Sequence, residues 1–231
     1  MEDTSVPNIV TAVLADYRGY DTMFETAVIF SAGIACLFLL RQMKRKKTDF
    51  RLYRHTATGI TFRIEKGGKL PPTAKEFERI DGLWTPYDLI IKTTGRFIIP
   101  FIQIFALYVI AHGHHSPGGG FQGGVILGAS FVLFAISHDL RSALNRMSEK
   151  LTAFFYTLGV YIYAGTGALC ILLGANFLDY SALATILFVD PVTARSHGIL
   201  IVEIGVGIAV MAVMVILYYN LVSAGKFDEG L

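Results

Sequence analysis

The chain has 231 residues, of which 53% are hydrophobic and only 16% charged, with a formal net charge of +2. An average soluble domain carries roughly 25% charged residues. Here the apolar residues are also gathered into long runs, which excludes an ordinary water-soluble fold and points to a membrane protein.

At the N-terminus, Val6, Ile9, Val10, Val13, Leu14 and Tyr17 form a helical stripe suited to lying along a membrane surface. The polar break DYRGYD (Asp16–Asp21) ends it. Glu2 and Asp3 stand where a secretory signal would carry positive charge, so no cleaved signal peptide is expected. Charge-poor runs follow near Phe24–Leu40, Phe97–Ala111, Gly123–His138, Ala153–Gly174 and Gly198–Val222. A crossing helix needs about 20 mostly apolar residues, with roughly 17 a workable minimum. The first, fourth and fifth runs meet this. The second does so when Ile90–Gly95 is included, with Lys92 and Arg96 snorkelling to the interface. The third is short and glycine-rich and must lean on its neighbours. The expected fold is therefore all-α and polytopic, with five transmembrane helices and an N-terminal interfacial helix.

Between the first two spans, residues 48–83 contain Gly59, KGG and PP, and read as a basic linker with one short extended piece at Ile60, Phe62 and Ile64. It separates residues 1–47, with the first span, from residues 84–231, with the other four. Lys and Arg crowd the RQMKRKKTDFRLYR and DLRSALNRMSEK connections. The connection holding HGHHSPGGG has none, and the one from Ala175 to Ser196 has only Arg195. By the positive-inside rule this places the N-terminus outside and the C-terminus in the cytoplasm. The KRKK cluster then reads as a membrane-flanking stop signal, and no nucleic-acid partner is expected. Cys36 and Cys170 lie inside apolar spans as buried thiols, without the spacing of a disulfide or metal site.

The segment HGHHSPGGGFQGG, His112–Gly124, admits three readings. A phosphate loop requires Lys and Ser/Thr after its last Gly, and Val125–Ile126 follow instead. A zinc site needs convergent ligands, and His112, His114 and His115 lie too close in sequence to share one ion, with no Cys nearby. No metal is expected. The third reading is packing: Gly120, Gly124 and Gly128 recur at i, i+4 and i+8, a small-residue face that lets helix backbones approach in lipid. Pro117 and Gly118 supply the turn before it, and Gly119, Phe121 and Gly123 complete the motif.

The stretch GHHSPGGGFQGG (Gly113–Gly124), preceded by DLIIKTTGRFIIPFIQIFALYVIAHG and followed by LLGANFL and HGILIVEIGVGIAVMAVMVILYY, resembles the MrpB/MnhB-type subunit of multisubunit Na+/H+ antiporters, from about Trp84 to Val222. The N-terminal NIVTAVLADYRGYDTMFETAVIFSAG resembles the C-terminal end of the large MrpA-type subunit, an element that also occurs as a separate small subunit in membrane-bound hydrogenases. Phe24 stands where that element has Gly. The resemblance implies a fusion of two adjacent antiporter pieces. It also implies a prokaryotic plasma-membrane location, partnership with other Mrp-type subunits, membrane lipid and a hydrogenase-like or other redox arm, and no cofactor of its own. The implied function is an accessory, ion-conducting subunit of a cation/proton antiporter module. A purely structural scaffold and an autonomous small transporter are the alternatives, and nothing suggests an enzyme acting alone.

Charged groups inside spans are costly and default to functional candidates. Glu25 begins the first span, and the resemblance maps it onto the acidic residue of the family motif. Its other reading is a helix-start residue favoured by the macrodipole. Glu203 lies inside the fifth span at a position where the family places a carboxylate, and its other reading is a packing residue. Asp21 belongs to the charged break before Glu25. His112 and His114 titrate near neutrality and suit proton relay, or fix the loop by hydrogen bonds. Asp179 and Asp190 read as solvated loop acids.

Overall fold

The computed structural model describes residues 4–42, 50–65, 76–80, 89–115 and 117–223. The KRKK cluster, the KGG and PP turns and Ser116 lie outside the described residues.

A short helix α1 (Ile9–Ala12), capped by the Asn8 side chain, which accepts from the Val10 amide at 3.1 Å, runs into a π-helical turn at Val13–Tyr17. The long helix α2 (Gly19–Gln42) follows. Then come strands β1 (Phe50–His55), β2 (Thr61–Glu65) and β3 (Phe77–Ile80). The remaining helices are α3 (Leu89–His112), α4 (Gly120–Ser137), α5 (Leu140–Arg146), α6 (Glu149–Leu172), a 3-10 turn (Tyr180–Leu183) leading into α7 (Ala184–Leu187), and α8 (Pro191–Ser223). Among the described residues five helices are long and apolar enough to cross a membrane: α2, α3, α4, α6 and α8. They match the five charge-poor runs, and α3 starts at Leu89, so the second span does take in Ile90–Gly95.

The helix α8 is the axis of the bundle. Of its most apolar stretch 67% is buried, against 11% for α2 and 17% for α3. Lipid offers little hydrophobic drive between helices, so close backbone contact must supply the attraction. Glycines provide it. A Cβ on Gly120 would fall 1.8 Å from the Glu203 carbonyl oxygen, one on Gly124 2.6 Å from that of Gly207, and one on Gly128 3.1 Å from Met214. The helices α4 and α8 therefore run parallel, in four-residue register. On the next side of α4, Gly123 packs on Ala106 and Ile110 of α3, and Gly159 of α6 packs on Gly205 and Ala209 of α8. The short third span is held on two sides at once.

The N-terminal element turns most of its apolar stripe away from the bundle. Its protein-facing residues are Val6, Thr11, Ala12 and Ala15, whereas Ile9, Val10, Leu14 and Tyr17 point outward, 70%, 63%, 39% and 65% exposed. Apart from Val6, the apolar stripe is the face turned away from the bundle, and small and polar residues make most of the contact with it. Three tyrosines fasten the element down: the Tyr180 hydroxyl donates to the Ala15 carbonyl (3.0 Å), Tyr163 to Gly19 (2.8 Å) and Tyr156 to Phe30 (2.7 Å). The Tyr180 bond falls on the π-turn, where regular backbone bonding is disturbed, and the other two fall on carbonyls of α2.

Where the sequence suggests one extended piece in a linker, there is a three-stranded antiparallel sheet, ordered β2-β1-β3, pairing Tyr53 with Phe62 and His55 with Phe77. Phe62 and Phe77 meet edge-on at 5.8 Å across the face of β1. Arg and Glu between the apolar positions hide the alternation in a composition-based reading.

Candidate functional site

The corner between α3 and α4 is tied to the N-terminus by backbone and side-chain bonds. The Asn8 amide donates to the His114 carbonyl at 3.0 Å, the Asn8 side chain to the Gly113 carbonyl at 2.8 Å, and the Thr11 hydroxyl to that same carbonyl at 3.0 Å. Gly119 has φ +131°, a conformation that favours glycine. It lets the chain double back so that Gly113 and Gly119 touch; a Cβ on Gly113 would lie 2.7 Å from the Gly119 Cα.

This doubled-back corner cradles Glu203. A Cβ on Gly119 would lie 3.0 Å from Oε1, and one on Gly113 3.2 Å from Oε2. His114 is turned inward beside it, with Nδ1 3.9 Å from Oε2 and both side chains close to nine-tenths buried. That separation is an ion-pair contact, too long for a hydrogen bond. The other ring nitrogen, Nε2, lies 2.8 Å from the Ser196 carbonyl and must donate to it. In a neutral imidazole Nδ1 is then a bare acceptor facing an acceptor oxygen. Neither Nδ1 nor Oε2 has a hydrogen-bond partner among the described residues. The two atoms are complementary only when one proton lies between them, on the imidazole or on the carboxyl. The Glu203 carboxylate raises the His114 pKa above its ordinary value of 6.5, against the opposing effect of burial and with help from the Ser196 carbonyl.

A raised folded-state pKa means that the protonated histidine stabilises the native state. That contribution is fully present below about pH 6.5 and is lost as pH rises through the elevated folded value. The thermal midpoint of the solubilised protein is expected to drop as pH rises from about 6.5 through the elevated folded value, and His114→Gln should flatten that slope. An unchanged slope in the variant would assign the pH dependence elsewhere.

Glu203 also lines a cavity of about 580 Å³. Its walls come from the N-terminal element (Val10 to Ile29), the start of α4 (Gly118–Gln122), Tyr163, and Val202 and Val206 of α8. Glu25, exposed on α2, lines the same cavity. Two carboxylates far apart in sequence thus face one largely apolar space.

The other candidates lie elsewhere. Asp21 pairs with Arg18 on the exposed surface, Arg18 Nε to Oδ2 at 2.6 Å. His112 is exposed, stacks on Tyr108 (4.8 Å) and lies tilted against His115 (5.6 Å). Pro117 is exposed at the turn, Gly118 packs on the Val109 carbonyl, and Phe121 stands half-exposed at the cavity edge. Asp179 caps the 3-10 turn by accepting from the Ser181 amide and lies 3.7 Å from Arg195, while Asp190 is exposed. Sequence reasoning missed Asn8, Thr11 and the three tyrosines, because bonds from side chains to distant backbone carbonyls leave no pattern along the chain.

Five apolar spans gathered on a glycine-faced central helix define a polytopic membrane protein. Residues 90–216, more than half of the chain, match the family described as a domain related to the MnhB subunit of the Na+/H+ antiporter. The chain belongs to that family. It is 32% identical over 131 residues to the mnhB2 antiporter subunit of Staphylococcus haemolyticus, covering 54% of this chain and 92% of that one. Its fold is shared with a chain of the Mrp complex from a Dietzia species (TM-score 0.63, 22% identity), which it matches over 99% of its own length but only 22% of that chain's. It is likewise similar to a chain of the membrane-bound sulfane sulfur reductase, an archaeal respiratory membrane complex (TM-score 0.65, 25% identity, 95% of this chain and 80% of that one).

Proposed function

We propose that this chain is an accessory, ion-conducting subunit of an Mrp-type cation/proton antiporter module, and that its cavity lined by Glu203 and Glu25, with His114 behind Glu203, is part of the ion path. The observation that carries the reading is the buried Glu203–His114 pair, whose facing Nδ1 and Oε2 atoms are complementary only when one of them is protonated, with Glu203 lining a cavity that reaches Glu25. A buried acid–imidazole pair of this kind can take up and release a proton near neutral pH. In this reading residues 1–47 and 84–231 are two adjacent antiporter pieces joined through residues 48–83. The likeness of nearly the whole chain to one stretch of a longer Mrp chain supports the fusion. The likeness to a respiratory-complex chain supports a redox arm as a partner beside the other Mrp subunits. The lysine and arginine distribution supports an outside N-terminus in the prokaryotic plasma membrane. With Cys36 and Cys170 replaced by Ala, an impermeant thiol reagent should label His115→Cys and spare Ala57→Cys in intact cells; the reverse would invert the orientation.

A scaffold role is the competing reading, favoured by the backbone-to-backbone glycine contacts. Glu25→Gln separates the two. It preserves size and hydrogen-bonding reach but cannot release a proton or neutralise a cation. The assembled variant is expected to lose most cation-dependent proton flux in membrane vesicles, with Glu25→Asp retaining part. Wild-type flux from assembled Glu25→Gln would leave Glu25 a helix-start residue, and failed assembly would make it structural.

A further inference from the structure

The cavity lining includes the apolar residues Val10, Val28 and Phe121, which are 63%, 65% and 45% exposed. Its lining carries two carboxylates and no Lys, Arg or His. The nearby cations are already engaged: Arg18 is held by Asp21, and His114 stands behind Glu203. Glu25 itself makes no hydrogen bond or ion pair among the described residues, although it lies six residues, about 9 Å at 1.5 Å per residue, into a helix apolar enough to span a membrane. Carboxylates at such depth pair with an opposite charge or line a wet cavity. A lipid chain would cover the apolar walls and leave Glu25 uncompensated.

From this we infer that the groove between α2 and α4 is a docking site for a transmembrane helix of a partner subunit, one that presents a Lys or Arg to Glu25. Apolar side chains of that helix cover Val10, Val28 and Phe121, and the basic head, carried on a flexible apolar stem, reaches the carboxylate. The inference rests on the chain's being a subunit of a larger complex, and not on the cavity's carrying ions. Glu25→Gln still accepts a hydrogen bond from the basic group and keeps the partner, whereas Glu25→Lys opposes like charges and releases it.

The test uses the intact complex purified from native membranes, with the photoreactive residue p-benzoylphenylalanine in place of Val28 and Glu25 left intact. After irradiation the adduct is identified by mass spectrometry. The expected product is a cross-link to a membrane helix of another subunit with a Lys or Arg within one turn of the linked residue. A lipid adduct, a helix without a basic residue there, or no adduct overturns the proposal. In a second arm, Glu25→Lys is expected to lower co-purification of that subunit at least about tenfold, and changing its basic residue to Glu should restore it. Full retention of the subunit by Glu25→Lys, or no restoration by the exchange, also overturns it. Neither arm reads flux, so failure of the ion path and failure of the dock are distinguishable.

Discussion

Glu203→Gln is expected to leave the complex assembled while cutting cation-dependent proton flux at least about tenfold, equivalent to roughly 1.4 kcal/mol in an activation barrier. The geometry makes the substitution unusually selective. The side chain is held against Gly113, Gly119 and His114 on one side, where neither glycine could carry a Cβ without crowding it. Glutamine has the same shape, and its amide N–H can face the bare Nδ1 of His114 as a polar donor where the carboxylate stood. The packing contact and the bond to Ser196 both survive. Exchange does not, because an amide gives up no proton at neutral pH. Blue-native electrophoresis for assembly and a pH-sensitive dye in inverted vesicles for flux check the two halves. Loss of assembly would instead make Glu203 a packing residue.

Gly124→Leu is expected to act in the opposite way, removing the assembled complex before any flux can be measured. At this position a Cβ alone would come within 2.6 Å of the Gly207 carbonyl oxygen and 2.9 Å of its Cα. Both are backbone atoms on the central helix and cannot swing aside. Overfilling a well-packed core costs about 1–3 kcal/mol. Here the helices α4 and α8 must separate along their whole contact, and lipid supplies no compensating hydrophobic drive. Less than about one-tenth of the wild-type yield is expected, the factor that roughly 1.4 kcal/mol brings. Gly165→Leu is the control, since its Cβ would meet only the Tyr161 ring at 3.8 Å. Equal yields from the two variants would mean that the glycine contact does not hold the bundle together.

The spans were legible because their signal is one of length and composition, and five runs of low charge became five helices. The glycine period of α4 was legible for a related reason: only close backbone approach rewards a bare Cα every fourth residue. The site was legible in its parts and not in its arrangement. Glu25, Glu203 and His114 each stand out as costly or titratable groups, but no pattern says that the corner after α3 folds back to set His114 against Glu203, or that Asp21 is spent on Arg18 and His112 faces outward. The N-terminal stripe was legible as a face for a membrane surface: it turns away from the protein except at Val6, and Thr11, Ala12 and Ala15 join Val6 in the contact. The sheet between α2 and α3 was only partly legible, since its strands are short and rich in Arg and Glu.

The central claim is that the Glu203–His114 pair exchanges its proton with the cavity. Infrared difference spectroscopy of the purified complex, stepped between low and high pH and then between low and high Na+, tests it most directly. A carboxyl or carboxylate difference band coupled to an imidazole band is expected in the wild type, both missing from Glu203→Gln and the imidazole band missing from His114→Gln. Difference spectra that are the same in the wild type and in assembled Glu203→Gln would contradict it.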